Sequence, residues 1–304
     1  MRDAAGARMV RRIAALIAPL FLLALAGCSD APGGSGSGEP ANPILYEIAS
    51  ADGTVEGWML GTIHALPDGT QWRTPAISEV AGDAGLLVVE VKGLDDEAAV
   101  ARTFAALAKA PGLPPLRERL PPDLAVPLGK LLARGNLSPD AFATTETWAA
   151  ALALARVDAA GDPANGVDRA LLKDFATRPV RELEGAPAQL AIFDHLPEAQ
   201  QRAMLAAVVR ESERSRKDPE RLQRAWLAGD EATIEASTRE GFLAEPALRE
   251  ALLTARNRRW ATALVPLLES GERPLVAVGT AHLVGPEGLA ALLQARGYRL
   301  RRIP

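Results

Sequence analysis

The stretch Val276-Ala277-Val278-Gly279-Thr280-Ala281-His282 decides how this chain folds. An apolar run, Leu275–Val278, reads as a buried strand, and the glycine after it lets the backbone turn sharply and lets another group approach closely. The same order stands far upstream in Met59-Leu60-Gly61-Thr62-Ile63-His64, which closes a strand over Glu56–Leu60. Each is an apolar strand followed by Gly-Thr-x-His. In open α/β sheets, groups just past the carboxyl ends of strands face the ligand crevice. If these two strands are neighbours, His64 and His282 point into one space. One Gly-x-x-His is worthless as evidence, but the chain has three histidines and two share this motif. Two separate capping histidines would explain the same residues.

Working outward, Ile44–Ile48 reads as a strand that turns at Asp52-Gly53 and pairs with Glu56–Leu60, a hairpin signal. Leu86–Val91 (LLVVEV) is an apolar run typical of a buried strand. The middle is helical: Asp95–Lys109, Pro122–Arg134, Thr144–Val157, Val167–Phe175, Pro197–Lys217, Pro219–Leu227, Asp230–Arg239 and Pro246–Glu269, with one short strand at Pro179–Leu183. Proline at or near several starts is the expected first-turn placement. The end returns to helix Pro286–Arg296 and an edge strand Tyr298–Ile303. The expectation is one α/β domain over 44–304, with a mixed central sheet built from both ends of the chain and a helical insertion over about 95–270.

Glu90 lies inside Leu87-Val88-Val89-Glu90-Val91, where a lone ionised carboxylate is costly to bury. It must be paired, protonated, bound to a cation, or at the strand's crevice end; a salt bridge to an arginine is the bland reading. Two imidazoles and a carboxylate suit a divalent transition metal with open positions, which would activate water for hydrolysis. The same residues also suit a metal-free site with Glu90 as general base. Arg256-Asn257-Arg258-Arg259-Trp260 sits within a helix, and three arginines in four positions cannot all face one way. Asn257 is a poor interior helix former, so a polar residue here is expected to face the crevice. Arg256 or Arg259 would stabilise an oxyanion or hold Glu90; an exposed basic face is the alternative. Glu184, after the strand at 179–183, is either a supporting group, a fourth ligand or an exposed loop charge. His195 reads as a local helix cap. No Gly-x-Ser-x-Gly elbow, Walker loop, dinucleotide fingerprint or His-Glu-x-x-His helix is present.

The N-terminus reads as a secretory signal over 1–27: Arg2, Arg8, Arg11 and Arg12, then an apolar run Ile13–Ala26 too short to span a bilayer, which takes about 20 residues. Leu25-Ala26-Gly27-Cys28 fits cleavage before a lipidated cysteine, and Cys28 is the only cysteine. Residues 29–43 have the Gly, Ser and Pro content of a flexible tether, so 28–43 is read as lipidated cysteine plus tether. Ser29 after the cysteine leans toward the outer membrane, facing the periplasm. Without disulfides the fold rests on its core, for which 48% hydrophobic residues suffice. A net charge of −4, with no basic run after the signal, argues against nucleic acid as a partner.

The collected residues resemble the TraB/GumN family, which includes the TIKI proteases of animals. The elements stand in family order over roughly 44–303: Trp58 to His64, the Glu90 strand, Gly166-Val167-Asp168, Pro179 to Glu184, Arg256-Asn257-x-x-Trp260, then Val278 to His282 with Leu283-x-Gly285 and Gly297-Tyr298. The resemblance implies an active site of the two Gly-x-x-His motifs and a glutamate. Its animal members look like proteases active with manganese or cobalt, so zinc is the less favoured metal. The expectation is an envelope hydrolase, a metallopeptidase by preference, acting on a peptide or protein. His64, His282 and Glu90 are placed at its centre as ligands or base, with Asn257 and Arg256 as further catalytic candidates and Glu184, Gly61 and Gly279 supporting. The rivals are a non-catalytic lipoprotein that binds a peptide or protein partner and a metal-free hydrolase acting on an ester.

Overall fold

The structure, a computed structural model, describes residues 40–94 and 96–304. The expected signal peptide, Cys28 and the tether as far as residue 39 lie outside the described residues.

Strands β1 (Leu45–Ala49) and β2 (Val55–Thr62) form the expected antiparallel hairpin. Gly53 supplies its positive φ of 94°. Helix α1 (Pro75–Asp83) follows, with Thr74 capping the Ile77 N–H and proline in the first turn. Strand β3 is Leu86–Val89, so Glu90 stands immediately past its end rather than inside it. Four helices come next: α2 (Glu97–Leu107), α3 (Ala125–Arg134), α4 (Thr147–Ala155) and α5 (Val167–Asp174). The chain then returns to the sheet as β4 (Val180–Glu182). After it run α6 (Ala186–Asp194), α7 (Glu198–Ser215), α8 (Arg221–Ala228), α9 (Glu231–Ser237) and α10 (Pro246–Arg249). A π-helical turn, Glu250–Thr254, leads into α11 (Ala255–Leu268), so the long helix expected over 246–269 runs on to Leu268 with one wider turn inside it. Strand β5 (Pro274–Gly279), α12 (Leu289–Gln294) and β6 (Arg299–Ile303) complete the fold.

The sheet has six strands in the order β4-β3-β5-β2-β1-β6. β4, β3, β5 and β2 are mutually parallel, and β1 runs against both of its neighbours. The sheet is thus mixed and draws strands from both ends of the chain, with β4 contributed from the middle. The helical insertion is therefore two helical stretches on either side of an edge strand.

Side chains alternate across the sheet with the strand period. Met59, Leu86, Val88, Val276 and Val278 pack on one face, under Trp260, Leu264 and Leu268 of α11 and Leu289 and Leu293 of α12. Leu60, Leu87, Val89, Leu275 and Ala277 pack on the other, under Ile77 and Val80 of α1 and Val167 and Leu171 of α5. Both faces are covered, which is why β3 and β5 read as unbroken apolar runs. A separate core holds α2, α3, α4, α6 and α7 together around Trp148, Phe104, Phe193 and Met204. Trp148 stacks on Phe193 and meets Phe104 edge-on.

Candidate active site

Because β2, β3, β4 and β5 are parallel, their carboxyl ends share one rim of the sheet. His64 comes two residues after β2, Glu90 directly after β3, Glu184 two residues after β4, and His282 three residues after β5. The two Gly-Thr-x-His segments lie side by side, with Gly61 opposite Val278 and Thr62 opposite Gly279 in the β2–β5 register. Each glycine makes room for the other motif. A Cβ at Gly61 would fall 2.5 Å from Thr280 Oγ1. A Cβ at Gly279 would fall 3.3 Å from Glu90 Oε1, 3.6 Å from His64 Nε2 and 3.8 Å from His282 Cδ2. One point above Gly279 is therefore within 4 Å of all three side chains proposed from the sequence.

His64 is fixed from behind. Its Nδ1 is 2.6 Å from Asp168 Oδ2, and the other Asp168 oxygen accepts from Thr62 Oγ1 at 2.7 Å. Asp168 is in the first turn of α5, which docks on the β2 exit through Val167 N–H to Ile63 O at 3.0 Å. Gly166 allows that approach, since a Cβ there would meet His64 O at 2.5 Å. Burial alone would lower the His64 pKa, but the charge and hydrogen bond of Asp168 and the charge of Glu90 outweigh it and raise the pKa above the imidazole value of 6.5. Burial would raise Asp168, and His64 and Thr62 instead hold it below the usual carboxylate range. His64 Nε2 has no hydrogen-bond partner among the described residues.

Glu90 is ionised and held on both oxygens. Oε1 accepts the Gly279 N–H at 2.8 Å; Oε2 accepts from Arg256 Nη2 and from Gln189 Nε2, each at 2.8 Å. Burial works against its charge, but Arg256, the two histidines and the Gly279 N–H outweigh that and lower its pKa. The salt bridge to an arginine and the crevice-end position, offered as separate explanations of Glu90, both hold.

Arg256 is buried, and all five of its N–H groups have acceptors. Nε and Nη2 reach Glu184 Oε2 at 3.0 and 2.9 Å, the second Nη2 hydrogen goes to Glu90, and Nη1 serves Leu252 O at 3.0 Å and His282 Nε2 at 3.2 Å. The Leu252 carbonyl belongs to the π-helical turn, a form that frequently marks functional sites. The guanidinium also lies over the Trp260 ring, 4.5 Å from its centroid. Of the roles considered for Arg256, holding Glu90 is the one these contacts serve. Arg258 points outward to Glu250, and Arg259 is exposed with its tip on Glu184. Glu184 is thus a half-buried carboxylate shared by two arginines rather than an exposed loop charge.

His282 is wholly buried, its ring 4.4 Å from that of Trp260. An arginine can only donate, so His282 Nε2 is the acceptor and Nδ1 carries the proton, donated to Asn257 Oδ1 at 2.5 Å. Asn257 Nδ2 in turn donates to Glu287 O at 2.8 Å. Burial lowers the His282 pKa; Glu90 opposes this, Arg256 and His64 add to it, and the value is pushed down to about 3. The pair is asymmetric: His64 is a strengthened base, His282 a neutral link between Arg256 and Asn257. His195 is exposed at the C-cap of α6.

A divalent metal can be tested on the donors themselves. Glu90 Oε2, Glu184 and His282 Nε2 all turn toward the Arg256 guanidinium, which leaves His64 Nε2 as the single unengaged imidazole nitrogen of the pair. Among the described residues no three or more His, Cys, Asp or Glu are grouped to hold a metal ion. In this arrangement the residues do not fit the expected manganese or cobalt.

Two contributors escaped the sequence reading. Asp168 was visible only as part of Gly166-Val167-Asp168, without a role. Gln189 sits in an Ala-rich helix that offers no signal, yet it is fully buried, donates to Glu90, and its Oε1 has no partner among the described residues. Thr280 Oγ1 is likewise buried without a partner among them.

A family model described as TraB/PrgY/gumN matches residues 44–302. No curated protein and no solved structure matches the chain.

Proposed function

This chain belongs to the TraB/PrgY/gumN family, and on that premise we propose that it is a hydrolase of peptide bonds in the bacterial envelope, carried there by its signal and tethered by lipid on Cys28. One observation carries the reading: the Nε2 of His64, backed by Asp168 and without a partner among the described residues, borders with Glu90 Oε1 the same space above Gly279. A carboxylate behind an imidazole fixes its tautomer and stabilises the imidazolium that forms, the logic of triad hydrolases.

In this reading a water molecule sits above Gly279. It gives one proton to His64 Nε2 and directs the other hydrogen to Glu90 Oε1. Its oxygen forms a bond to the substrate carbonyl carbon. The C–N bond then breaks, and the proton on His64 passes to the leaving nitrogen. Asp168 keeps its own charge throughout. Glu90 orients the water rather than taking its proton, because its lowered pKa makes it the weaker base of the two. Base catalysis of this kind is worth about 10²–10⁴-fold. Preference for a peptide or protein substrate comes from the resemblance to the TIKI proteases.

Incubation of the purified protein with a peptide library, with cleavage read by mass spectrometry, tests the proposal. Defined cleavage products are expected from the wild type and none from His64→Ala or Glu90→Ala. Equal cleavage by all three proteins, or none by any, would overturn it.

A further inference from the structure

We propose that the Arg256 guanidinium is the resident cation of this site, set where a divalent metal would otherwise lie, so that the wild-type chain takes up no metal there. One imidazole, His282, and two carboxylates, Glu90 and Glu184, surround it. That is a donor set able to hold a transition metal. Here each of the three gives at least one acceptor atom to the N–H donors of Arg256, while the rest of Glu90 is taken by the Gly279 N–H and Gln189 and that of Glu184 by Arg259.

The guanidinium is hard to displace for reasons visible in its surroundings. A metal bound to these donors would strip partners from four of its five N–H groups in a buried site, where an unpaired charge is costly. Its charge is already matched, since Glu90 and Glu184 are faced by Arg256 and by the tip of Arg259. Its position is set by chain rather than by the site alone: the π-helical turn presents Leu252 O to Nη1, and Trp260, one turn on, lies against the planar group. His64, outside that donor set, makes no hydrogen bond to Arg256. Its Nε2 has no partner among the described residues, so the arrangement separates a cation-holding half from a base-holding half.

The test measures metal and needs no substrate. The full chain, stripped with chelator and dialysed, is titrated with manganese, cobalt and zinc salts, and bound metal is read by mass spectrometry and by the visible bands of cobalt. The wild type is expected to retain substoichiometric metal and to show no protein-bound cobalt spectrum. Arg256→Ala, which frees Glu90, Glu184 and His282, is expected to bind one equivalent, lost again in Arg256→Ala/His282→Ala. One equivalent on the wild type that disappears in His282→Ala would overturn the proposal. So would a folded Arg256→Ala protein, judged by circular dichroism, that takes up none. The wild-type titration decides even if that variant does not fold. Absence of peptide cleavage would leave this result untouched, and metal on the wild type would leave the hydrolase reading standing.

Discussion

His64 Nδ1 and Asp168 Oδ2, 104 positions apart in the chain, lie 2.6 Å apart at the rim of the sheet. The contact joins the end of β2 to the start of α5 and makes the first histidine unlike the second. Asp168→Asn is expected to keep the fold but lower kcat/KM by about 10³- to 10⁴-fold, the scale of losing an orienting carboxylate behind a catalytic imidazole. Kinetics on the best library peptide, together with the histidine chemical shifts, will check it. An unchanged His64 titration in the variant would contradict the dyad.

The pH dependence follows from the same pair. The base must be neutral, and the His64 pKa is raised above 6.5, so cleavage should climb with pH through a midpoint above that value. Asp168→Asn should move the midpoint down. His282, pushed down to about 3, stays neutral through this range and adds no second limb.

Stability has its own window. The raised His64 pKa contributes stability that is complete below its unfolded value of 6.5 and is lost as pH rises through the folded value. The lowered Asp168 pKa contributes above its unfolded value of 3.8 and is lost as pH falls through the folded one. The pair therefore stabilises most between those two limits. Urea midpoints for wild type and Asp168→Asn should differ most there and converge at either end.

The two motif glycines should respond differently to alanine. At Gly279 the added methyl group enters the space above the residue at distances of 3.3 to 3.8 Å, so the fold should survive while the proposed water site is lost. At Gly61 it collides with Thr280 Oγ1 at 2.5 Å, an overpacking expected to cost about 1–3 kcal/mol. Thermal unfolding should show that loss, and Gly61→Ala/Thr280→Ala should recover part of it.

Trp226 ties the helices to the same strand end, because its Nε1–H donates to Gly61 O at 2.9 Å in a buried position. Trp226→Phe leaves that carbonyl unpaired and should cost about 1–3 kcal/mol in chemical denaturation. A smaller change would mean that the carbonyl finds another donor.

Much of this was legible in the order of residues. Gly61 and Gly279 marked the close approach of the two motifs, although both lie within strands rather than at turns, and the isolated charge of Glu90 in an apolar run marked the third group, because burial makes such a residue conspicuous. The mixed sheet followed from apolar runs at both ends of the chain. Asp168 was not legible as a partner: an acid in a first helical turn is common for local reasons, and its meeting with His64 depends on tertiary packing alone. Gln189 was hidden more deeply, since a neutral amide in a helix breaks no pattern. The wider turn inside the helix over 246–269 was missed because a π-helical turn keeps the same residue types as the helix around it. Arg256 was singled out, but how many partners it would claim depended on Glu90, Glu184 and His282 arriving from three other segments.

The place of β5 between β3 and β2 has a consequence for assembly. As the chain is made from its N-terminus, the hairpin and the third strand emerge well before the strand that joins them. Until Pro274–Gly279 arrives, two unzipped edges wait across a gap with nothing to pair them. The shared rim of β3, β5 and β2 is then not yet assembled. The arrival of one strand therefore joins the two halves of the sheet and sets the two Gly-Thr-x-His segments side by side.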